Sequence, residues 1–275
     1  MRGNGILRRS VAEVSEQRGL VGEAEVFWQE APGLPVLYLH GVPTDGDDWL
    51  PFLEQTGGFA PDLPGFGRSS KRGDLDFSME GLGRFAEDFA NARGLDRMSL
   101  VVHDWGAAGL LFAMRAPERV ERLVIIDAIP FLPGYRWHRI ARVWRRRGAG
   151  ELFMGATSAR GIATLAPDLK PRARVVAERF DQGTQRAVLR LYRSAPENVL
   201  ARAGEGLGAI TCPALMQYSR SEMEVISGMS CSITRRLAPS SACTRLMRGP
   251  NASASRWATP AVGSSSRRTD ACTAN

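Results

Sequence analysis

Residues 98–106 read Met-Ser-Leu-Val-Val-His-Asp-Trp-Gly, and Ala107, Ala108 and Gly109 follow. A short apolar run rich in leucine and valine reads as a buried strand. Trp105–Arg115 then reads as a helix that closes before Pro117. The small residues between the two let strand and helix approach closely. Asp104 therefore stands on a sharp strand-to-helix elbow, above the helix N-terminus, where negative charge is favoured. A serine is the commoner residue at such an elbow. A carboxylate there changes the chemistry: it displaces a leaving group from an sp³ carbon and becomes an alkyl ester. By itself an aspartate before a helix also fits an N-cap.

Outward from the elbow the first half of the chain alternates strands and helices. Glu25–Gln29, Pro35–Leu39, Gly58–Ala60 and Leu123–Ile126 read as strands. Asp47–Gln55 reads as a helix. A second helix starts at the N-cap Ser78, carries Leu82, Phe85, Ala86 and Phe89 on one face, and stops at Gly94. This order predicts an α/β fold with a mostly parallel, doubly wound sheet, whose chemistry lies at the carboxyl ends of its strands. From 131 to 208 the pattern turns helical and arginine-rich, and we expect an inserted cap over the first core segment, 1–130. Pro213–Tyr218 reads as a strand returning to the core within 209–218.

The tail, 219–275, departs from this order. It is dense in Ser, Ala, Arg and Thr, and only Val225–Met229 and Ile233–Leu237 hint at structure. We expect it to be irregular or poorly ordered and to leave an edge of the sheet exposed. The abrupt change in composition is what a shifted reading frame in a GC-rich gene would produce. Eight arginines against three acids place five of the seven net positive charges in this tail, so the basic balance of the chain is no nucleic-acid footprint. The four cysteines form no Cys-x-x-Cys pair and no histidine follows His138, which argues against a metal site. No apolar run reaches the length of a membrane span, and the N-terminus lacks the apolar core of a signal peptide. These features point to the cytoplasm, to no nucleic-acid or membrane partner and to no cofactor, and leave the oligomeric state open.

Three motifs in register carry a resemblance. His40-Gly41-Val42-Pro43, Asp62-Leu63-Pro64-Gly65-Phe66-Gly67-Arg68-Ser69 and His103-Asp104-Trp105-Gly106 resemble the epoxide hydrolase and haloalkane dehalogenase branch of the α/β-hydrolases over roughly residues 20–218. The resemblance implies Asp104 as nucleophile and the backbone N–H groups of Val42 and Trp105 as an oxyanion hole. It implies a small apolar electrophile as substrate. The Trp105 indole N–H would hold a leaving halide, or the ring is simply core. Tyr192, in Leu191-Tyr192-Arg193, resembles the epoxide-activating phenol. Tyr135 matches that role less closely, and either tyrosine could instead pack the cap. His40 reads as a loop-shaping residue rather than a base. Within the basic run Tyr135–Arg147, Trp137, Ile140, Ala141 and Trp144 share a face, as in a cap helix turned toward the site or, less simply, a membrane-surface helix. His138 reads as a cap surface or packing residue.

The second half-reaction needs a histidine base and an acid to orient it. In the resembling family the histidine lies near the C-terminus, and none stands there. Asp127 fits the acid in one family arrangement, or it caps the turn after its strand. Glu222 falls near the place of the other arrangement. We therefore expect alkylation without turnover, or a catalytically dead relative kept as a binding module. Gly228–Ser232 has a loose serine-elbow spacing with no helix behind it.

Overall fold

The computed structural model describes residues 12–165, 167–218 and the pair Arg245–Leu246. Eight strands form one sheet: β1 (Ser15–Val21), β2 (Ala24–Ala31), β3 (Val36–Leu39), β4 (Gly58–Pro61), β5 (Met98–His103), β6 (Val120–Ile126), β7 (Ala214–Gln217) and β8 (Arg245–Leu246). Their order is β1-β2-β4-β3-β5-β6-β7-β8, antiparallel through β4 and parallel from there on. The central strands are apolar on both faces: all four residues of β3 are buried, as are Met98, Leu100, Val101 and Val102 of β5. That is the composition of a parallel sheet covered on both sides.

Helices α1 (Leu50–Thr56), α2 (Met79–Ala92) and α3 (Gly109–Arg115) supply the cover. Ser78 caps α2 as the sequence indicates, its Oγ accepting the Gly81 N–H at 3.0 Å. Leu82, Phe85, Ala86 and Phe89 are all buried, and Gly94 takes the left-handed φ of 64° just past the helix end.

Between β6 and β7 the described chain is helical, with α4 (Arg139–Trp144), α5 (Ala149–Gly155), α6 (Ala159–Leu165), α7 (Ala173–Arg179), α8 (Gln182–Ser194) and α9 (Glu197–Ala203). This is the segment read as a cap. The basic helix expected over Tyr135–Arg147 is confined to α4, because Trp137 precedes the helix and His138, in extended backbone, is its N-cap. Trp137 and Ala141 are buried, and Trp144 packs its ring 4.9 Å from Tyr192. The apolar side of the run thus faces the protein. No helix among the described residues is long and apolar enough to cross a membrane.

Two further differences have physical causes. The strand Ser15–Val21 was not expected, since it is an edge strand whose side chains are mostly exposed and so carries no apolar run. It is held by the register of its hairpin, from Ser15↔Glu30 to Val21↔Ala24. And β7 is not a bare edge: Leu215 and Met216 pair with Arg245 and Leu246. Val225–Met229, Ile233–Leu237, Glu222 and Gly228–Ser232 lie outside the described residues.

Candidate active site

The elbow is built by close approach. A Cβ added at Gly106 would lie 2.3 Å from the Leu39 carbonyl oxygen, and one at Gly109 would lie 2.4 Å from the Leu39 Cδ1. Only glycine lets the helix start this near β3. The turn begins as a 3-10 segment, Asp104–Ala108, before α3. Asp104 itself takes φ of 46°, a left-handed conformation uncommon for a residue with a side chain. An ordinary N-cap has extended backbone, so the N-cap reading of Asp104 is set aside.

The carboxylate is fixed from the loop after β3. The Val42 N–H donates to Asp104 Oδ2 at 2.7 Å, and the adjoining Trp105 amide also favours the charged carboxylate. Both amides implied by the resemblance therefore act on Asp104. Gly41 makes this approach feasible, since a Cβ there would fall 2.5 Å from the Asp104 Cβ. Burial pushes the Asp104 carboxyl above its ordinary range, opposed by the neighbouring His103, by the amides of Val42 and Trp105, and by His138.

His40 cannot take up a proton from a reacting water. Its ring is fully buried, with Nδ1 2.8 Å from the Gly41 carbonyl oxygen and Nε2 accepting the Leu63 N–H at 2.8 Å. These partners require Nδ1 to carry the hydrogen and leave no free lone pair. Asp62 closes the second motif on itself. Its two oxygens accept from Gly46 N–H (2.8 Å), Arg68 N–H (2.7 Å) and Arg68 Nε (2.8 Å). A Cβ at Gly67 would meet that carboxylate at 2.2 Å. The motif is a braced turn, and its work is to hold the loop that precedes α1.

Above Asp104 lies a box of aromatic rings. Trp105 is fully buried and stacks on Trp137, with centroids 5.5 Å apart and planes at 23°. Tyr192, on α8, packs edge-on to Trp105 at 5.1 Å and lies 5.0 Å from Trp137. Tyr135 is buried 5.2 Å from Trp137. The Trp137 indole N–H is committed to the Ala195 carbonyl oxygen at 2.9 Å. The Trp105 indole N–H is buried with no hydrogen-bond partner among the described residues. Trp105 and Tyr192 thus come together, and Tyr135 reaches them through Trp137. Trp137, read only as part of a helix face, joins them as the ring that touches all three. Its signal in the sequence was its place at the start of the helical segment rather than any helical period.

His138 caps α4, its Nδ1 accepting the Ala141 N–H at 3.3 Å. Its ring lies 6.5 Å from that of Tyr192. The rings around it hold its imidazole below the ordinary value, an effect increased by Arg142 and opposed by Asp104. Asp127 directly follows β6 beside Asp104, since the register pairs His103 with Ile126. Its N–H donates to the Gln217 carbonyl oxygen at 2.9 Å.

Residues 35–150 match the alpha/beta hydrolase fold family. A haloalkane dehalogenase of Agrobacterium fabrum is 33% identical over 138 residues, 46% of this chain and 44% of that protein. A soluble epoxide hydrolase of a Corynebacterium species is 31% identical over 126 residues, 44% of each chain. Each match thus spans less than half the length of the curated relative. Among solved structures, the haloalkane dehalogenase of Bradyrhizobium elkani superposes with a TM-score of 0.68 at 21% identity, over 86% of this chain and 89% of that one. The chain therefore has the α/β-hydrolase fold, and the part of it that aligns is similar to haloalkane dehalogenases and epoxide hydrolases alike.

Proposed function

We propose that Asp104 is a nucleophile that captures a small apolar epoxide or haloalkane as an alkyl ester. The observation that carries this reading is the Asp104 carboxylate in left-handed backbone with Oδ2 held at 2.7 Å by the Val42 N–H. One carboxylate oxygen attacks the electrophilic carbon and the C–O bond of an epoxide, or the C–halogen bond, breaks. In the epoxide case the phenol of Tyr192, with Tyr135 as a second donor, gives its proton to the developing alkoxide. In the haloalkane case the halide leaves toward the Trp105 indole N–H. The oxygen facing Val42 and Trp105 becomes the ester carbonyl oxygen, where those amides would stabilise the charge that hydrolysis develops. Epoxide is the first choice, since Tyr192 lies against Trp105 and Trp137. The aromatic lining fits an apolar molecule.

Release is the weak step. The chain holds three histidines, His40, His103 and His138. His40 has both ring nitrogens engaged, the Ala141 N–H occupies Nδ1 of His138, and the His103 ring packs edge-on to Trp49 with centroids 6.4 Å apart. An imidazole that accepts at Nδ1 carries its hydrogen on Nε2 when neutral, so that nitrogen donates rather than accepts. Asp127 is the acid that would orient a base if one were supplied. The reading is therefore capture without turnover. The competing reading, a hydrolase-fold protein that binds without reacting, draws on the same shortage of a base.

Intact mass after incubation with small epoxides and haloalkanes separates the two. A stable adduct equal to the mass of the epoxide, or to that of the alkyl group less one hydrogen, and lost in Asp104→Asn is the expected result. An unmodified protein that still binds the reagents would establish the second reading, and diol or alcohol without adduct would reveal a base not recognised here.

A further inference from the structure

Charge is unevenly divided along the chain. Residues 1–130 hold 13 basic and 20 acidic side chains, whereas residues 131–208 hold 15 and 6. A positive helical layer therefore lies on a negative core, a division hidden by a nearly neutral total for these segments. The two meet at the loop that follows Val42. On the core side, Asp62 Oδ1 accepts the Gly46 N–H at 2.8 Å, and Asp47 Oδ1 accepts from Arg68 (2.6 Å) and Gln29 (2.8 Å). From the helical layer, Arg179 Nη1 donates to Asp45 Oδ2 at 2.5 Å and to Asp47 Oδ2 at 2.8 Å. Arg172 bonds Asp48 and lies 3.7 Å from Asp45. Asp45 is buried, and its Oδ1 accepts the Asp47 N–H at 3.2 Å, so the ion pairs act on the shape of the loop itself.

These are not the solvent-screened pairs that contribute little. The Asp45 side chain is 4% exposed and that of Arg179 27%. Burial works against both charges of the Arg179–Asp47 pair. Their mutual bonds, with those to Asp45 and Arg68, outweigh it and hold Asp47 below and Arg179 above its ordinary range.

We propose that Arg179, seconded by Arg172, is a positioning residue for the Val42 amide. The helical layer grips the loop three residues beyond Val42, so that docking the layer on the core and presenting the Val42 N–H to Asp104 are a single event. The clamp stands on its own geometry. Its chemical consequence rests on the nucleophile reading above.

Hydrogen exchange by mass spectrometry on the full chain tests the clamp. Arg179→Met and Asp45→Asn should each speed exchange in peptides covering residues 40–49 by about tenfold or more, with Arg179→Lys between them and wild type and with β5 and α3 unchanged. Unaltered exchange at 40–49, or equal acceleration throughout, overturns the proposal. The pH midpoint of Asp104 modification by a small epoxide, read by intact mass, tests the link to Val42. The titratable groups around Asp104, namely His103, Asp127 and His138, stay in place in these variants. Losing the Val42 bond should raise the midpoint in both variants. A direct effect of charge would raise it for Arg179→Met and lower it for Asp45→Asn, and opposite shifts overturn the link. If the wild type is not modified at all, the nucleophile reading fails, and the exchange result alone decides whether Arg179 positions the loop.

Discussion

Asp104 and Asp127 stand side by side at the ends of β5 and β6, and they are the two non-glycine residues of positive φ among those described, at 46° and 40°. Each is tied in place through its backbone. The Asp104 carbonyl accepts the Ile129 N–H at 3.2 Å, and the Asp127 N–H donates to Gln217. Left-handed aspartates are strained unless their surroundings insist on them, and such strain gathers at functional sites. Asparagine tolerates this conformation better than alanine. Asp127→Asn should therefore keep the wild-type melting temperature, while Asp127→Ala loses about 1–2 kcal/mol of stability, as measured by urea denaturation.

Burial raises the Asp104 carboxyl above its ordinary value. A carboxyl with a raised folded-state value stabilises the fold less as pH rises from the ordinary value of about 4 through the raised one. Asp104→Asn, which has no charge to desolvate, should gain on the wild type over that interval. Thermal unfolding of both proteins from pH 4 to 8 would show it, and a gap independent of pH would refute it.

Acid should act on the loop after Val42 in the opposite sense. Asp47 is held low by Arg179 and Arg68. Its contribution is complete above the ordinary carboxylate range and is lost as pH falls below it. Wild type should lose thermal stability as pH falls from 5 to 3, and Asp47→Asn should lose less over the same interval.

At Gly106 a methyl group would sit 2.3 Å from the Leu39 carbonyl oxygen. Backbone cannot yield there without moving β3 or the elbow. Gly106→Ala should cost about 3 kcal/mol or more, at the severe end for overpacking, and abolish the adduct at Asp104. A urea midpoint within error of wild type would show that the elbow has slack.

The Trp105 indole N–H is buried and without a partner among the described residues, while the ring packs on Trp137 and Tyr192. Trp105→Phe keeps an aromatic ring and removes the donor. Adduct formation with a haloalkane should slow by about tenfold to a hundredfold, as expected for a hydrogen bond to an anion, with the epoxide reaction changed far less. Equal slowing of both would assign Trp105 to packing.

The sheet was legible because its central strands are apolar runs without alternation and its elbow needs small residues at fixed places. The approach of Val42 to Asp104 was implied by the resemblance that the three motifs carry, not by any period in the chain. The edge strand Ser15–Val21 was not, since its exposed residues leave no period to read. Trp137 was read as part of a helix face turned toward the site, but it precedes α4, and its stacking on Trp105 depends on a ring from another element. The aspartates after Val42 showed nothing in one dimension, as their arginine partner lies 132 to 134 residues further along the chain. His40 was read correctly as a shaping residue from its place before the amide-bearing loop.

The hydrogen bonds that fix Asp104 come from Val42 and Ile129. Both precede the helical layer, and neither belongs to the returning strand. The groups that bond Asp104 directly thus lie in the first 130 residues, while the Arg179 clamp on the loop after Val42 comes from the helical layer. Among the described residues, everything past β7 could be rewritten without touching a bond that holds this carboxylate in place.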